Sequence, residues 1–596
     1  MFHSLETYPV LLVALLVLSL PTGALASVTL ATRGHSQYQI VIAPDASPTV
    51  KRVAQELSDD FAQISGAALP VITSAPKGPA FFVGPGPDLP DAFRAIALSA
   101  RPDESIVVRT HGRDLYLAGH GDRGTMYAVY AFLEDQLGAR WYAPDATVLP
   151  KKSRVSIPDL DVQQSPAFEY RDTDEYAVFR SGPWDAHLRL NGTSVPAQPD
   201  LGGMNRLFNG AENFYELVPP ARYFADHPEY FSLINGKRTA SGGSQLCLTN
   251  PDVMRIVTAA LLQEAQKNPG ELVLGLSPND AFNGACQCDN CKASDARYGA
   301  PSGTLLNFVN QVAASVQAAL PGRKIWVETL AYQYAEKAPN PGAIAPAENV
   351  LVCLAPIFAC EAHPLPTDPE NARSRESLLA WNKIAPGHLQ VWHYVTNFAH
   401  YLQPFPDWDE LGADMAYYRD HGVSGMFCEG NYQSGGEMSL MRTWVMAHLF
   451  WNPDQDVWAL VKDYCDGYYG PAGPSVYQYL RLMRDAVNKP GVHMHIYDPP
   501  TAAYLSPDTL QAADKLLDSA EAAAGSPEIL GRVQEVRLGI RYVELMRSRP
   551  AAGASADVRA AYRDRLAGFI ADIHRFKIIR LSEGQDMAAW IAEMEK

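Results

Sequence analysis

Four apolar runs in the middle of this sequence end on side chains that can move protons or hold a polar ligand. The run at 272–276 leads into Ser277-Pro278-Asn279-Asp280, and Ile325-Trp326-Val327 leads into Glu328-Thr329-Leu330-Ala331-Tyr332. The run at 389–392 precedes His393 and Tyr394, and 425–428 precedes Glu429-Gly430-Asn431-Tyr432, with Glu437 shortly beyond. Acids, amides, imidazole and phenols at corresponding points suit the cleavage of a glycosidic bond. One carboxyl donates a proton to the leaving oxygen while another stabilises or attacks the cationic sugar. Apolar walls raise the acid's pKa toward its working range. Taken singly, each acid has a plainer explanation as a salt-bridge or loop partner. Their recurrence is what points to a site.

A second cluster, Cys286-x-Cys288-x-x-Cys291, lies a few residues beyond Asp280. Together with Cys247 these thiols can pair as one or two disulfides, stay free, or surround a structural zinc. Disulfides or free thiols are the first expectation. No histidine lies close enough in sequence for an open catalytic zinc site, so neither a catalytic metal nor a cofactor is expected. Cys353 and Cys428 lie inside apolar runs and read as small buried hydrophobes. His120-Gly121-Asp122-Arg123-Gly124 reads as a structural turn before a helix rather than an anion site. There is no Walker loop and no G-x-S-x-G elbow.

The elements that must position these groups follow from periodicity. Strand-like runs at 38–43, 80–83, 105–109 and 115–118 alternate with helical patterns at 47–64 and 125–137, the second closed by Gly138. This predicts a small α/β domain over 27–160, with a linker at 163–166. From 168 onward, strands at 168–171, 245–248, 272–276, 325–328, 350–354, 389–394 and 425–429 are separated by helical stretches. Apolar strands alternating with helices indicate a parallel sheet covered on both faces. The predicted fold is therefore α/β, with a central (β/α)8 TIM-like barrel over 165–480 whose eighth strand lies near 203–208. A mostly helical C-terminal region follows over 481–596, broken at Asp498-Pro499-Pro500-Thr501. In such a barrel the reacting groups project from the C-terminal strand ends.

Two stretches carry a resemblance to known proteins. The segment GHGDRGTMYAVYAFLEDQLGARWYAP (119–144), after the opening YQIVIAPDAS, resembles the small α/β domain that precedes the barrel in α-glucuronidases and β-hexosaminidases. HPEYFSLINGKR (227–238) and QLCLTNP (245–251), through SPND, CQCDNC and VETLAY, resemble the bacterial "domain of unknown function 4838" family. That family is associated with glycoside hydrolase family 163, endo-β-N-acetylglucosaminidases acting on N-glycans. The resemblance covers most of residues 30–470. It implies a retaining, substrate-assisted hydrolysis of N-acetylglucosamine-containing glycans, in which the sugar's acetamido oxygen attacks the anomeric carbon. On that basis Glu328 is expected as acid/base and Asp280 as acetamide polariser, or the reverse, with Asn279 assisting. Tyr332, His393, Tyr394, Glu429 and Asn431 are expected to bind the sugar. One alternative is a glycosidase acting on uronic acid-containing polysaccharide, which needs Arg171, Arg180 or Arg206 in the pocket. The other is a silent carbohydrate-binding protein.

The resemblance implies an oligosaccharide or glycan as partner; composition identifies none but excludes one class. The formal net charge is −17 and no Lys/Arg-rich run stands out, which argues against nucleic acid. Residues 9–20 (PVLLVALLVLSL), followed by Ala24-Leu25-Ala26, read as a secretory signal peptide cleaved after Ala26, although the first nine residues hold no Lys or Arg. The run falls short of the roughly 20 residues that span a bilayer. The expectation is export to the periplasm or beyond, with no membrane association after cleavage.

Overall fold

A computed structural model describes residues 27–596, apart from 197, 204–207, 210 and 269–271, with the backbone alone at 208 and 209. The expected signal peptide and Arg206 lie outside the described residues. Among the described residues, no helix is long and apolar enough to cross a membrane.

The first layer is a six-stranded mixed sheet. Its strands are β1 (Gln39–Val41), β2 (Val71–Ile72), β3 (Ala80–Val83), β4 (Ile106–His111), β5 (Asp114–Gly119) and β6 (Asp161–Gln164), in the order β6-β4-β5-β3-β1-β2. Helix α1 (Pro48–Ser65) starts on Ser47, whose hydroxyl accepts from the Val50 N–H, and ends at the left-handed Gly66. Its periodic residues Val50, Val53, Ala54, Leu57, Phe61 and Ile64 are all buried. Helix α2 (Gly121–Phe132) continues into a π-turn that Gly138 closes at φ 81°. The turn before α2 is structural. Arg123 is buried and donates to the Tyr127 hydroxyl and the Leu190 carbonyl. Gly119 and Gly124 pack backbone to backbone, so a Cβ on Gly119 would meet Gly124 at 2.3 Å.

The central layer is a seven-stranded parallel sheet. It comprises β7 (Tyr170–Thr173), β8 (Phe208–Asn209), β9 (Leu272–Gly275), β10 (Ile325–Ala331), β11 (Val350–Leu354), β12 (Leu389–Tyr394) and β13 (Val423–Glu429). Their order is β7-β13-β12-β11-β10-β9-β8. The sheet thus curls until its first strand pairs with its last, as in a barrel. Among the described residues β7 and β8 do not pair, so the observed form is an incomplete ring rather than a closed (β/α)8 barrel. Helices α3 (Pro251–Lys267), α4 (Asp289–Tyr298), α5 (Pro301–Ala319), α6 (Ala372–Ile384) and α7 (Trp408–Asp420) lie between successive strands.

One predicted strand drops out of the sheet, and the linker expected at 163–166 falls in part on β6, which pairs with β4. Residues 245–248 do not join the sheet; Leu246 makes only an isolated antiparallel bridge to Phe231. The strand predicted near 203–208 is present at 208–209 as the edge strand β8, which pairs with β9. The segment 245–248 alternates apolar and polar residues like a strand, but its polar groups are used elsewhere, as described below.

The N-terminal layer and the sheet are joined by buried charge. Arg171 on β7 pairs with Glu104 and also donates to the carbonyls of Phe168 and Arg189. Glu134 accepts from Arg189 at 2.7 Å and lies 2.9 Å from His448 Nε2. Arg171 is 1% exposed and Glu104 4%. Removing one member of such a pair strands the other in low dielectric. Arg171→Ala is therefore expected to lower the unfolding free energy by about 3–5 kcal/mol. Urea denaturation followed by tryptophan fluorescence checks this, and a loss below about 1 kcal/mol would contradict it.

Candidate active site

The C-terminal ends of β9, β10, β12 and β13 open into one cleft of about 230 Å³. Asp280 follows β9, Tyr332 follows β10, Trp392 and Tyr394 belong to β12, and Glu429 ends β13. The carboxylates of Glu212 and Glu583 and the rings of Phe398, Tyr432 and Tyr497 complete its polar and aromatic lining. Four carboxyl groups thus face one space, and no Lys or Arg is among the described lining residues.

The acids differ in setting. Glu429 is half-buried and accepts from the Trp392 indole N–H at 2.8 Å. Burial, opposed by that hydrogen bond and reinforced by the charges of Glu583, Glu212 and Asp280, pushes its pKa up to about 8. Asp174, which follows β7 and accepts from the Gly430 N–H at 2.8 Å, is also driven upward, by burial and by the Glu429 charge. Asp280 is exposed to the cleft, and both the Gln333 amide (2.6 Å) and the Tyr332 hydroxyl (3.3 Å) donate to it. Glu212 stands in left-handed backbone at φ 59°, a conformation that costs a non-glycine residue energy and that gathers at functional sites. Burial and Asp280 push its pKa up to about 7.

Of the residues expected from sequence, Asp280, Tyr332, Tyr394 and Glu429 meet here, and four others do not. The sequence predicts Glu328 just past the end of its strand, but β10 runs on to Ala331. Leu330 lines the cleft, and Glu328, on the same face, lies two residues deeper, roughly 7 Å at the strand rise. It is 2% exposed. His393 is placed by strand alternation. Trp392 and Tyr394 face the cleft, so His393 points to the helix side, with Nε2 3.0 Å from a Glu410 carboxylate oxygen on α7. Asn431 is fully buried; its amide oxygen accepts from Thr396 and its backbone N–H donates to Glu175. Asn279 spends its side chain on the Ser244 carbonyl and the Tyr215 N–H.

Sequence reasoning missed Glu212, Trp392, Phe398, Tyr497 and Glu583, and placed Tyr432 at a strand end without giving it a role. Trp392 and Tyr432 neighbour residues that were singled out, and alternation along β12 could have found Trp392. Tyr497 and Glu583 come from the C-terminal region. They arrive through backbone pairing with the loop after β12. The Phe398 N–H donates to Ile496 (2.8 Å), Tyr401 N–H to Leu581 (2.9 Å), and Glu583 N–H to Phe398 (2.9 Å). The Asn397 and Gln403 amides both donate to the Asp498 carbonyl. The helices α8 (Ser439–Trp451), α9 (Val457–Tyr468), α10 (Gly473–Val487), α11 (Pro507–Ala523), α12 (Pro527–Arg547) and α13 (Ala556–Arg575) carry these segments to the cleft.

The arginines named for a uronate site are placed elsewhere, where described. Arg171 is committed to the layer interface, and Arg180 is exposed and donates to the Tyr176 hydroxyl. The four cysteines 247, 286, 288 and 291 converge as unpaired thiols below the Asp280 loop. Cys353 and Cys428 are buried in strands β11 and β13.

A comparison with curated proteins finds no match to the sequence. Among solved structures, the chain is similar to a family GH115 4-O-methyl-α-glucuronidase with specificity for decorated arabinogalactans. The identity is 14% and the TM-score 0.57, over 91% of this chain and 76% of that one. It is similar also to a GH138 enzyme targeting pectin rhamnogalacturonan II, at 10% identity and a TM-score of 0.53, over 94% and 98% of the two chains. A β-hexosaminidase from Streptomyces plicatus matches at 14% identity and a TM-score of 0.42, over 76% and 92%. The first two likenesses show a shared fold, one used by glycoside hydrolases. Residues 141–481, more than half of the chain and including every strand of the curled sheet, match the family described as Domain of unknown function (DUF4838), and the chain belongs to that family.

Proposed function

We propose that the protein is a glycoside hydrolase that cleaves N-acetylglucosamine-containing glycans with retention, using the substrate's acetamide as nucleophile. The observation that carries this reading is a cleft in which Glu429, held by the Trp392 indole and pushed toward its protonated form by burial and neighbouring carboxylates, shares the space with an exposed second carboxyl, Asp280, between aromatic walls. Glu429 donates its proton to the glycosidic oxygen as the acetamido oxygen closes on the anomeric carbon. Asp280, oriented by Tyr332 and Gln333, accepts from the acetamide N–H. The Glu429 carboxylate then takes a proton from the water that opens the cyclic intermediate. Glu328, buried below Leu330, has no part in these steps.

The charge of the cleft supports a neutral sugar over a uronate. A substrate carboxylate would enter beside the carboxyls of Glu212, Asp280 and Glu583 with no cation among the described lining residues. Repulsion between like charges at contact distance is worth about 4 kcal/mol at an intermediate dielectric. A second, broader groove of about 730 Å³ includes Gln333, whose amide donates to Asp280 of the cleft, and is walled in part by Phe282, Phe358 and Arg373. Phe282 is 57% exposed, with its ring centroid 5.9 Å from that of Phe358. An exposed aromatic pair beyond the cleft suits a substrate that extends past the cleaved bond, and so internal cleavage.

Glu429→Gln and Asp280→Asn are each expected to cut N-glycan hydrolysis by roughly 10²–10⁴-fold, read by mass of the released glycans. Activity that survives both changes, or preferred cleavage of uronate-bearing oligosaccharides, would overturn the assignment. The pH profile carries a second expectation: kcat/KM falls as pH rises through about 8 and Glu429 loses its proton. The same shift acts on stability. The folded pKa of about 8 exceeds the ordinary 4.5, so the folded state binds more protons between those values and loses stability as pH rises through the window. Glu429→Gln therefore raises Tm relative to the parent progressively from about pH 5 to pH 9, and a Tm difference flat with pH would contradict this. Phe282→Ala is expected to weaken cleavage of long glycans several-fold, chiefly through KM, while sparing a short aryl glycoside. Equal losses on both substrates would argue against the groove as a substrate platform.

A further inference from the structure

We propose that Cys247, Cys286, Cys288 and Cys291 form a tetrahedral zinc site that fixes the loop bearing Asp280. The four sulfurs lie within 4.8 Å of one another. Cys247 Sγ stands 3.7 Å from Cys288 Sγ and 3.8 Å from Cys291 Sγ. Zinc–sulfur bonds of about 2.3 Å in a tetrahedron place sulfurs about 3.8 Å apart, so these separations suit a shared ion. They are well beyond the roughly 2.05 Å of a disulfide.

The surroundings suit bound thiolates. Cys247, Cys286 and Cys291 are buried and Cys288 is half-buried. Besides one another, the apolar group packed against them among the described residues is the partly buried Leu233. Donors face the sulfurs instead. The Leu233 N–H lies 3.3 Å and Arg238 Nη1 3.6 Å from Cys286 Sγ, and the Thr249 hydroxyl lies 3.2 Å from Cys291 Sγ. Such second-layer donors steady thiolate ligands, and Arg238 offsets part of the charge that four thiolates leave on a divalent ion. Binding replaces four S–H protons with one Zn²⁺, and the four protons pass to solvent. All four positions are thiol, which leaves no open position for substrate or water. The site is structural rather than catalytic.

What the ion would hold is the approach to the cleft. Gln245, two residues before Cys247, clasps Asn279: its amide donates to the Asn279 carbonyl at 2.7 Å and accepts from the Asn279 N–H at 2.8 Å. The Gln287 N–H donates to the Leu233 carbonyl (2.7 Å), and Ser232 Oγ donates to the Gly284 carbonyl (2.7 Å). These bonds tie the 279–288 loop to the 231–247 segment, and the ion, with Cys291 in the first turn of α4, closes the same ring. The metal site stands whatever the reaction; only its consequence for Asp280 rests on the reading above.

The test is metal analysis of the full-length purified chain by plasma mass spectrometry, with Cys288→Ser and Cys291→Ser beside it. One zinc per chain in the parent, and less than a tenth of that in either variant, is the expected result. Cobalt exchanged into the parent should show the intense visible bands of a tetrahedral thiolate complex, a readout that does not depend on the variants folding. A metal-free parent that takes up neither zinc nor cobalt, or disulfides among these four cysteines mapped in the native protein, would overturn the proposal. Zinc bound by an inactive protein would instead leave the site standing and count against the catalytic reading.

Discussion

A parallel sheet covered by helices on one face and curled around its own side chains on the other leaves water almost no access to its strands. Ionised groups on such strands are costly unless something holds them, and they concentrate where the strands run out. That constraint organises this molecule. The strand interiors β9 and β11 read LVLG and VLVCL and are wholly buried. Acids and phenols collect at the ends of β9, β10, β12 and β13, where they share one cleft. Crowding four carboxyls there has a direct electrostatic result: Glu429, backed by burial and by its neighbours' charge, keeps its proton into the neutral range. The same physics that makes the cleft costly to fold supplies an acid at the pH where most enzymes work.

The loop after β12 couples this cleft to the rest of the chain. Its backbone pairs with segments at 496 and at 581–583. The helical C-terminal region is therefore a wall of the site as well as an appendage to it. Tyr497 and Glu583 reach the cleft through that pairing. On the other side of the sheet, Arg171, Glu104, Arg189, Glu134 and His448 lock the N-terminal layer against β7 and α8 through buried ion pairs. Such pairs set register and orientation more than they add net stability, because each charge must first be stripped of water.

The cysteine cluster illustrates a limit of spacing arguments. For three thiols within six residues, with Cys247 included, spacing alone leaves disulfides, free thiols and a structural zinc all open. In the fold, a fourth thiol from a segment that resembled a strand, 245–248, closes on them from about forty residues upstream. That segment is extended because it must present Gln245 to Asn279 and Cys247 to the sulfurs, not because it belongs to the sheet.

Periodicity in the sequence was enough to place four strands and two helices of the N-terminal layer, most strands of the parallel sheet, several of the helices between them and the polar ends of β9, β12 and β13, since burial on both faces demands unbroken apolar runs. It located Asp280, Tyr332, Tyr394 and Glu429 for the same reason. Three things needed the tertiary structure. Where β10 stops decides that Glu328 lies beneath the cleft, and a strand end is set by its neighbour's hydrogen bonds rather than by the residue that follows an apolar run. Which face His393 takes depends on the alternation that Trp392 and Tyr394 anchor. Glu212, Tyr497 and Glu583 reach the cleft only because distant segments fold onto it, and no local pattern records a contact between residues separated by hundreds of positions.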